Sequence, residues 1–377
     1  MILNKNKVKR IFFCSLFVFL VACQQNTSNN ILYSSNFDDI NYFGEDSFLL
    51  EGTDIEDSLK ENKYDRLPSY YKEFVREPVW NLSKNSAGLS IRFLSNSSVI
   101  TAKWELFNNF SMDHMPDTGV KGIDLYFKNN DEWQYINTGR PSGINNEYRL
   151  IDNMDNEIRE YKIFLPLYDG VKNIEIGIDN LSFIKKPKKS NKRPIIFYGT
   201  SITQGACASR PGMAHTNIIS RKLDRNVINF GFNGNGRMEY PISKLLSESD
   251  PAFYVIECMP NMYPPDLVTS NTIPLVNEIR SKNPNTPIIF VDLFTSPINT
   301  LDKNSVRGTN EMNNALKNEY KKMIDNGYEN IIYIESSNAL GNDFEGTVDA
   351  VHFTDLGFIR YSTFLIKKFK EYNLINN

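Results

Sequence analysis

Pro194-Ile195-Ile196-Phe197-Tyr198-Gly199-Thr200-Ser201-Ile202-Thr203-Gln204-Gly205 is the stretch on which the fold turns. Its apolar residues run on without alternating and stop at a glycine followed by Thr-Ser. A strand buried on both faces needs such a continuous run. Four more follow: Val227-Ile228-Asn229-Phe230, Phe253-Tyr254-Val255-Ile256, Pro287-Ile288-Ile289-Phe290-Val291 and Ile331-Ile332-Tyr333-Ile334. Helix-period stretches separate them, at about 213–224, 240–248, 265–282, 307–326 and 355–372. Strand and helix in turn imply a parallel sheet flanked by helices, with right-handed crossovers. Open sheets of this kind bind ligands at the carboxyl ends of their strands, so chemistry in 195–377 is expected just after each apolar run.

Upstream the pattern changes. Residues 46–184 read as mostly strand, with apolar and polar residues alternating in Leu89-Ser90-Ile91-Arg92-Phe93, Ile123-Asp124-Leu125-Tyr126-Phe127 and Ile174-Glu175-Ile176-Gly177-Ile178. Period-two alternation means one wet face and one buried face. Turn clusters at Asn96-Ser97-Ser98, Asn129-Asn130-Asp131 and Pro141-Ser142-Gly143 break the runs, which predicts an all-β sandwich or jelly roll interrupted by a short helix near Ser69–Arg76. Residues 185–194, Lys-Lys-Pro-Lys-Lys-Ser-Asn-Lys-Arg-Pro, form a basic stretch without apolar residues and are expected to be an exposed linker.

The chain has 377 residues, 42 basic and 45 acidic. A net charge of -3 provides no global field for nucleic acid, and a mean hydropathy of -0.40 excludes a polytopic membrane protein. Lys5, Lys7, Lys9 and Arg10 precede the apolar Ile11–Val21, a run too short to span a bilayer, which needs about 20 residues. The pattern is that of an export signal. Leu20-Val21-Ala22-Cys23 resembles the bacterial lipobox. That resemblance implies a signal over 1–22, a lipidated Cys23, a polar tether over 23–45 and a soluble remainder held in the cell envelope by acyl chains alone. An export signal whose cysteine is incidental is the other reading. Cys207 and Cys258 remain, as a disulfide or as two buried thiols.

Chemistry-bearing residues stand at the predicted strand ends. Ser201 follows the first run, Gly231, Gly234 and Gly236 the second, and Asn261 the third. Ser201 could be a nucleophile or a helix N-cap. Residues 199–205 are neither Gly-x-Ser-x-Gly nor a phosphate-binding Gly-Lys-Ser/Thr loop. A serine hydroxyl needs a neighbouring base, and the chain has three histidines: His114, His215 and His352. Within 195–377 only His352 has a carboxylate, Asp349, three residues away, a spacing that lets the carboxylate orient the ring or merely form a solvated pair. The glycines could bring a backbone N–H close to a developing oxyanion, and Asn261 offers an amide donor; tight turns would need the same residue types. No His/Cys cluster has zinc-ligand spacing.

In this order the set resembles the SGNH (GDSL-type) hydrolases. The likeness rests on Gly199-Thr200-Ser201, Asn229 through Gly234, Asn261 and Asp349-x-x-His352, and it covers about 195–377. It implies a flavodoxin-like α/β domain in which Ser201 is the nucleophile, His352 the base and Asp349 its orienter. Ser201, Gly234 and Asn261 would supply the oxyanion hole, with no metal and no cofactor. Thr200 and Phe353 depart from the family pattern at positions that carry no chemistry. Gly122-Ile123-Asp124-Leu125-Tyr126 and Ser209-Arg210-Pro211-Gly212 resemble a bacterial subgroup with a "GxDLY" amino-terminal β domain.

The implied activity is hydrolysis of short acyl esters, acetyl above all, on an ester-bearing small molecule or acylated glycan, with no nucleic-acid partner. Arg210 and His215 are candidate substrate-binding residues at the rim, or else a surface arginine and a helix-start histidine; Trp80, Trp104 and Trp133 are either platforms for sugars or, as most rings in a chain with 3 Trp and 19 Tyr, part of the core. A non-catalytic glycan-binding surface lipoprotein is the alternative, and a metal-requiring phosphoryl- or sulfuryl-transfer enzyme a third.

Overall fold

The structure, a computed structural model, describes residues 39–296 and 298–375. The expected signal and Cys23 lie outside these residues. Ten strands form the first part: β1 (Ile40–Phe43), β2 (Leu49–Glu51), β3 (Ser90–Ser95), β4 (Ile100–Leu106), β5 (Ile123–Asn129), β6 (Glu132–Gly139), β7 (Asn145–Ile151), β8 (Arg159–Phe164), β9 (Val171–Asp179) and β10 (Ile184–Lys185). They make two antiparallel sheets, ordered β1-β9-β4-β7 and β10-β3-β8-β5-β6, with β2 on β3. Ile91, Phe93, Trp104, Leu125, Ile163 and Ile176 from both sheets share one buried cluster, so this is a two-sheet sandwich.

Two expectations need correction, and one open choice is decided. The tether does not reach residue 45, because Ile40–Phe43 pairs along β9 as an edge strand; a four-residue strand is too short to stand out in the sequence. The helix expected near Ser69–Arg76 is a 3-10 segment, Ser69–Glu73, followed by an α-helix over Glu77–Ser83 that begins with Pro78 in its first turn. The three tryptophans are buried and offer no platform: Trp80 joins the core under the parallel sheet, Trp104 Nε1 donates to Lys121 O at 3.1 Å, and Trp133 Nε1 donates to Asp224 Oδ1 at 2.9 Å.

The second part contains β11 (Ile195–Gly199), β12 (Val227–Gly231), β13 (Phe253–Glu257), β14 (Ile288–Val291) and β15 (Ile331–Ile334), all parallel, in the order β12-β11-β13-β14-β15. Every residue of β11, β12 and β13 is buried, as their uninterrupted apolar runs require. Helices His215–Leu223, Tyr240–Glu248, Pro265–Lys282, Lys303–Asp325 and Asp355–Glu371 cover the sheet. The strand order is 2-1-3-4-5 within this part. It reverses around β11, so the ends of β11, β12 and β13 converge on one crevice. Among the described residues no helix is long and apolar enough to cross a membrane.

The sandwich is locked onto the parallel sheet. Arg66 is buried in the joint; Nε donates to Asn85 O (2.8 Å), Nη2 to Leu82 O (2.7 Å), and Nη1 to Asn229 O (3.1 Å) and Gly231 O (2.7 Å). Gly88, at φ +83°, lies where a Cβ would stand 2.4 Å from Asn229 Cβ, so only glycine permits this approach.

Candidate active site

Ser201 opens a single helical turn, Ser201–Gln204, directly after β11. The Thr200 hydroxyl accepts from Ile202 N (3.3 Å), and Gly205 at φ +117° ends the turn. Beneath it, Gln204 is fully used. Its amide donates to Asn85 Oδ1 (3.0 Å) and Leu167 O (3.1 Å), and its oxygen accepts from Asn233 N (3.0 Å). One side chain thus fixes the Ser201 turn, the sandwich and the loop after β12 together.

Asp349-Ala350-Val351-His352 is a tight turn ahead of the last helix, not its first turn. Val348 N donates to His352 O (2.8 Å), and Ala350 sits at φ +68°. Asp349 Oδ1 accepts from the backbone N–H groups of Val351 (3.0 Å) and His352 (2.7 Å), and Oδ2 lies 2.7 Å from His352 Nδ1. Partial burial pushes the Asp349 carboxyl up, but the His352 backbone N–H, the His352 ring and the Val351 N–H outweigh it and hold the pKa below the ordinary carboxylate value. An ionised carboxylate only accepts, so in the neutral ring Nδ1 carries the proton and Nε2 is the acceptor. Nε2 lies 3.0 Å from Ser201 Oγ, across 151 residues of sequence.

Donors flank this pair. The Asn261 side-chain oxygen accepts from Gly236 N (3.2 Å), which orients the amide and leaves Nδ2 without a protein acceptor among the described residues. The backbone N–H groups of Ser201 and Gly234 likewise have no protein acceptor among the described residues. Gly236 packs on the end of β11, where a Cβ would stand 2.1 Å from Gly199 O and 2.5 Å from Gly199 C. Backbone cannot rotate aside, so Gly236→Ala is expected to displace the Ser201 turn and lower kcat/KM on the order of 100-fold, measured on a chromogenic ester. Beside the Asp349–His352 turn opens a cleft of about 510 Å³, lined in part by Met259, Pro260, Tyr263, Phe294, Ala350 and Val351.

Two expected rim residues are elsewhere. His215 is wholly buried at the start of its helix. Its Nε2 lies 3.0 Å from Glu257 Oε2, and Phe197, Phe358 and Tyr361 enclose the ring, so it cannot meet substrate. Arg210 belongs to the joint between the two parts: Nη1 donates to Asp124 Oδ2 (2.8 Å) and Tyr126 OH (2.5 Å), and the guanidinium lies 3.9 Å over the Tyr135 ring. Burial works against its charge, but Tyr126 and Asp124 outweigh that and raise its pKa. Here strand alternation shows its use. Ile123 and Leu125 enter the sandwich core, while Asp124 and Tyr126 face the other way and grip residues 210–212, with Gly212 N donating to Asp124 Oδ2 (2.8 Å). Arg210→Met leaves a buried carboxylate without its cation, at a cost of about 3 kcal/mol. Denaturant melts should register that loss while KM for a small ester holds. A raised KM at full stability would restore the binding role.

The structure also assembles what sequence spacing did not disclose. His114, from the loop after β4, stands beside His352 with ring centroids 5.6 Å apart, and Cys207 lies next to both. Neither Cys207 nor Cys258 is in a disulfide, and both are buried. Burial, with Asp349 and Asp113 nearby, pushes the Cys207 thiol up to about 12.

The profile of the GDSL-like lipase/acylhydrolase family matches residues 192–370, and that of GxDLY, the N-terminus of SGNH-hydrolase-type esterases, matches residues 40–184. No curated protein sequence matches the chain. Among solved structures, a GDSL-like lipase from Bacteroides ovatus is 34% identical, with 89% of this chain and 99% of that one covered and a TM-score of 0.85. A salicylyl-acyltransferase from a tetracycline biosynthetic pathway shares the fold at 13% identity (89% and 98% covered, TM-score 0.74). So does a family two carbohydrate esterase from Clostridium thermocellum, solved with cellohexaose, at 12% (77% and 94% covered, TM-score 0.57). The sandwich, the parallel sheet and the agreement with the Bacteroides ovatus protein along nearly its whole length make one statement: the chain belongs to the GDSL-like lipase/acylhydrolase family, with a GxDLY-type amino-terminal domain, and is a carboxylic ester hydrolase.

Proposed function

We propose that the protein removes short acyl groups, acetyl above all, from carbohydrate by two-step acyl transfer through Ser201. His352 Nε2 takes the hydroxyl proton as Ser201 Oγ attacks the ester carbonyl. Asp349 holds the ring in the required tautomer and stabilises the imidazolium. The oxyanion is met by the N–H groups of Ser201 and Gly234 and by Asn261 Nδ2. His352 then protonates the leaving alcohol, and water repeats the cycle on the acyl-enzyme. The observation that carries this reading is the unbroken relay from Asp349 Oδ2 to His352 (2.7 Å) and from His352 Nε2 to Ser201 Oγ (3.0 Å).

The acyl group is taken to sit on a carbohydrate. The fold neighbour solved with cellohexaose supports it, as does Tyr263, an exposed ring on the cleft that could lie against a sugar. We place the protein outside the cell, tethered through Cys23, because basic residues and the apolar Ile11–Val21 lead into Leu20-Val21-Ala22-Cys23. The deciding experiment is acetate release from a panel of acetylated oligosaccharides, with Ser201→Ala as control. Release from the panel with none from the variant is expected. Turnover of p-nitrophenyl acetate without release from any glycan would leave the mechanism standing and remove the substrate.

A further inference from the structure

We propose that His114, Cys207 and His352 form a zinc site whose occupation switches the esterase off. The inhibition rests on His352 being the base, as proposed above; the site itself does not. One ligand atom from each residue lies within 4.8 Å of the other two. The three come from separate places: the loop after β4 of the sandwich, the loop behind the Ser201 turn, and the turn before the last helix.

The donor set is chemically specific. Each imidazole has Nδ1 held by a carboxylate, His114 by Asp113 Oδ1 at 2.9 Å and His352 by Asp349 Oδ2 at 2.7 Å. That is the outer-shell arrangement of zinc-binding histidines: it fixes the tautomer, raises ring basicity and leaves Nε2 as the ligand. Cys207 adds sulfur, and two imidazoles with one thiolate suit a borderline-soft ion such as Zn²⁺ rather than Mg²⁺ or Ca²⁺. Ligand atoms in a tetrahedral zinc site lie about 3.3–3.7 Å apart, so the set must close by about 1 Å. His114 is only half-buried on a loop and can supply that movement. The fourth position falls to water or to Ser201 Oγ, already 3.0 Å from His352 Nε2.

On binding, zinc takes the lone pairs of two neutral imidazoles and replaces the thiol proton of Cys207, which passes to the buffer; nothing is oxidised or reduced. With its Nε2 lone pair on the metal, His352 can no longer accept the Ser201 proton. A contact built into the joint between sandwich and sheet would thus make hydrolysis respond to free zinc.

The test is a Zn²⁺ titration of p-nitrophenyl acetate hydrolysis by the full chain in metal-free buffer. Zinc should inhibit, and a chelator should restore the rate. Cys207→Ala should keep the wild-type rate without metal. Cys207→Ala and His114→Ala, each scaled to its own metal-free rate, should need at least about tenfold more zinc for half-inhibition. A second readout is independent of turnover: Co²⁺ should give a thiolate-to-metal charge-transfer band in wild type and in inactive Ser201→Ala, but not in Cys207→Ala. No such band, or equal zinc sensitivity in wild type and Cys207→Ala, overturns the proposal. Loss of esterase activity in Ser201→Ala is read separately and bears only on the catalytic reading.

Discussion

Ser201→Ala should lower kcat for ester hydrolysis by roughly 10⁴-fold or more, with the melting temperature unchanged. The hydroxyl's hydrogen bond is to His352 Nε2, so its loss leaves no core contact broken. His352→Ala should fall to the same floor, and the double variant should fall no further, because a nucleophile and its base act as one unit. The remaining rate, above that of water, is what substrate binding and oxyanion donors supply without a nucleophile. Steady-state kinetics on p-nitrophenyl acetate, with thermal melts beside them, decides the matter. If Ser201→Ala kept a tenth of the wild-type rate, another group would be doing the chemistry.

The largest expected loss of stability comes from Arg66→Met. Arg66 makes no ion pair among the described residues; its guanidinium is met by four backbone carbonyls. Burial draws its pKa down to about 9, still above neutrality, so those carbonyls face a cation at pH 7. Methionine matches much of the stem but leaves three buried acceptors, Asn85 O, Asn229 O and Gly231 O, unsatisfied, at about 1 kcal/mol or more each, while Leu82 O keeps the Asn85 N–H (3.1 Å). A loss of about 4 kcal/mol is expected, or a fall of about 6 °C in melting temperature for a chain of this size. Activity should fall as well. Two of the carbonyls, Asn229 O and Gly231 O, belong to β12, and the loop carrying Gly234 and Gly236 follows from its end. A loss below 1 kcal/mol in a denaturant melt would mean that water or a shifted backbone replaces the guanidinium.

Much of the architecture was legible in the chain. The apolar runs at 195–198, 227–230, 253–256 and 331–334 coincide with strands to within a residue at each end, and the helix over 265–282 coincides at both ends. Burial on both faces imposes a residue pattern that can be read locally. Two kinds of feature were not legible. Short edge elements such as Ile40–Phe43 carry too few residues to show a period. The fate of single polar side chains was hidden as well. In sequence His215 and Arg210 both stand near Ser201, yet one is sealed in the core and the other grips the sandwich.

What the sequence determined unaided is therefore the periodic part: an all-β segment, a parallel α/β segment, and the Asp349–His352 pair, whose geometry closes within four residues. Tertiary structure alone decided the 3.0 Å approach of His352, the histidine the sequence had singled out, to Ser201, that His114 and Cys207 stand next to that histidine, that Asp124 and Tyr126 clasp Arg210, and that Arg66 ties Gly231 to the sandwich. The physical reason is range. Periodicity reflects the burial of neighbours along the chain, whereas these contacts join residues about 85–240 positions apart. Such pairs meet only through the strand order and the packing of one sheet stack against the other, which no local pattern encodes.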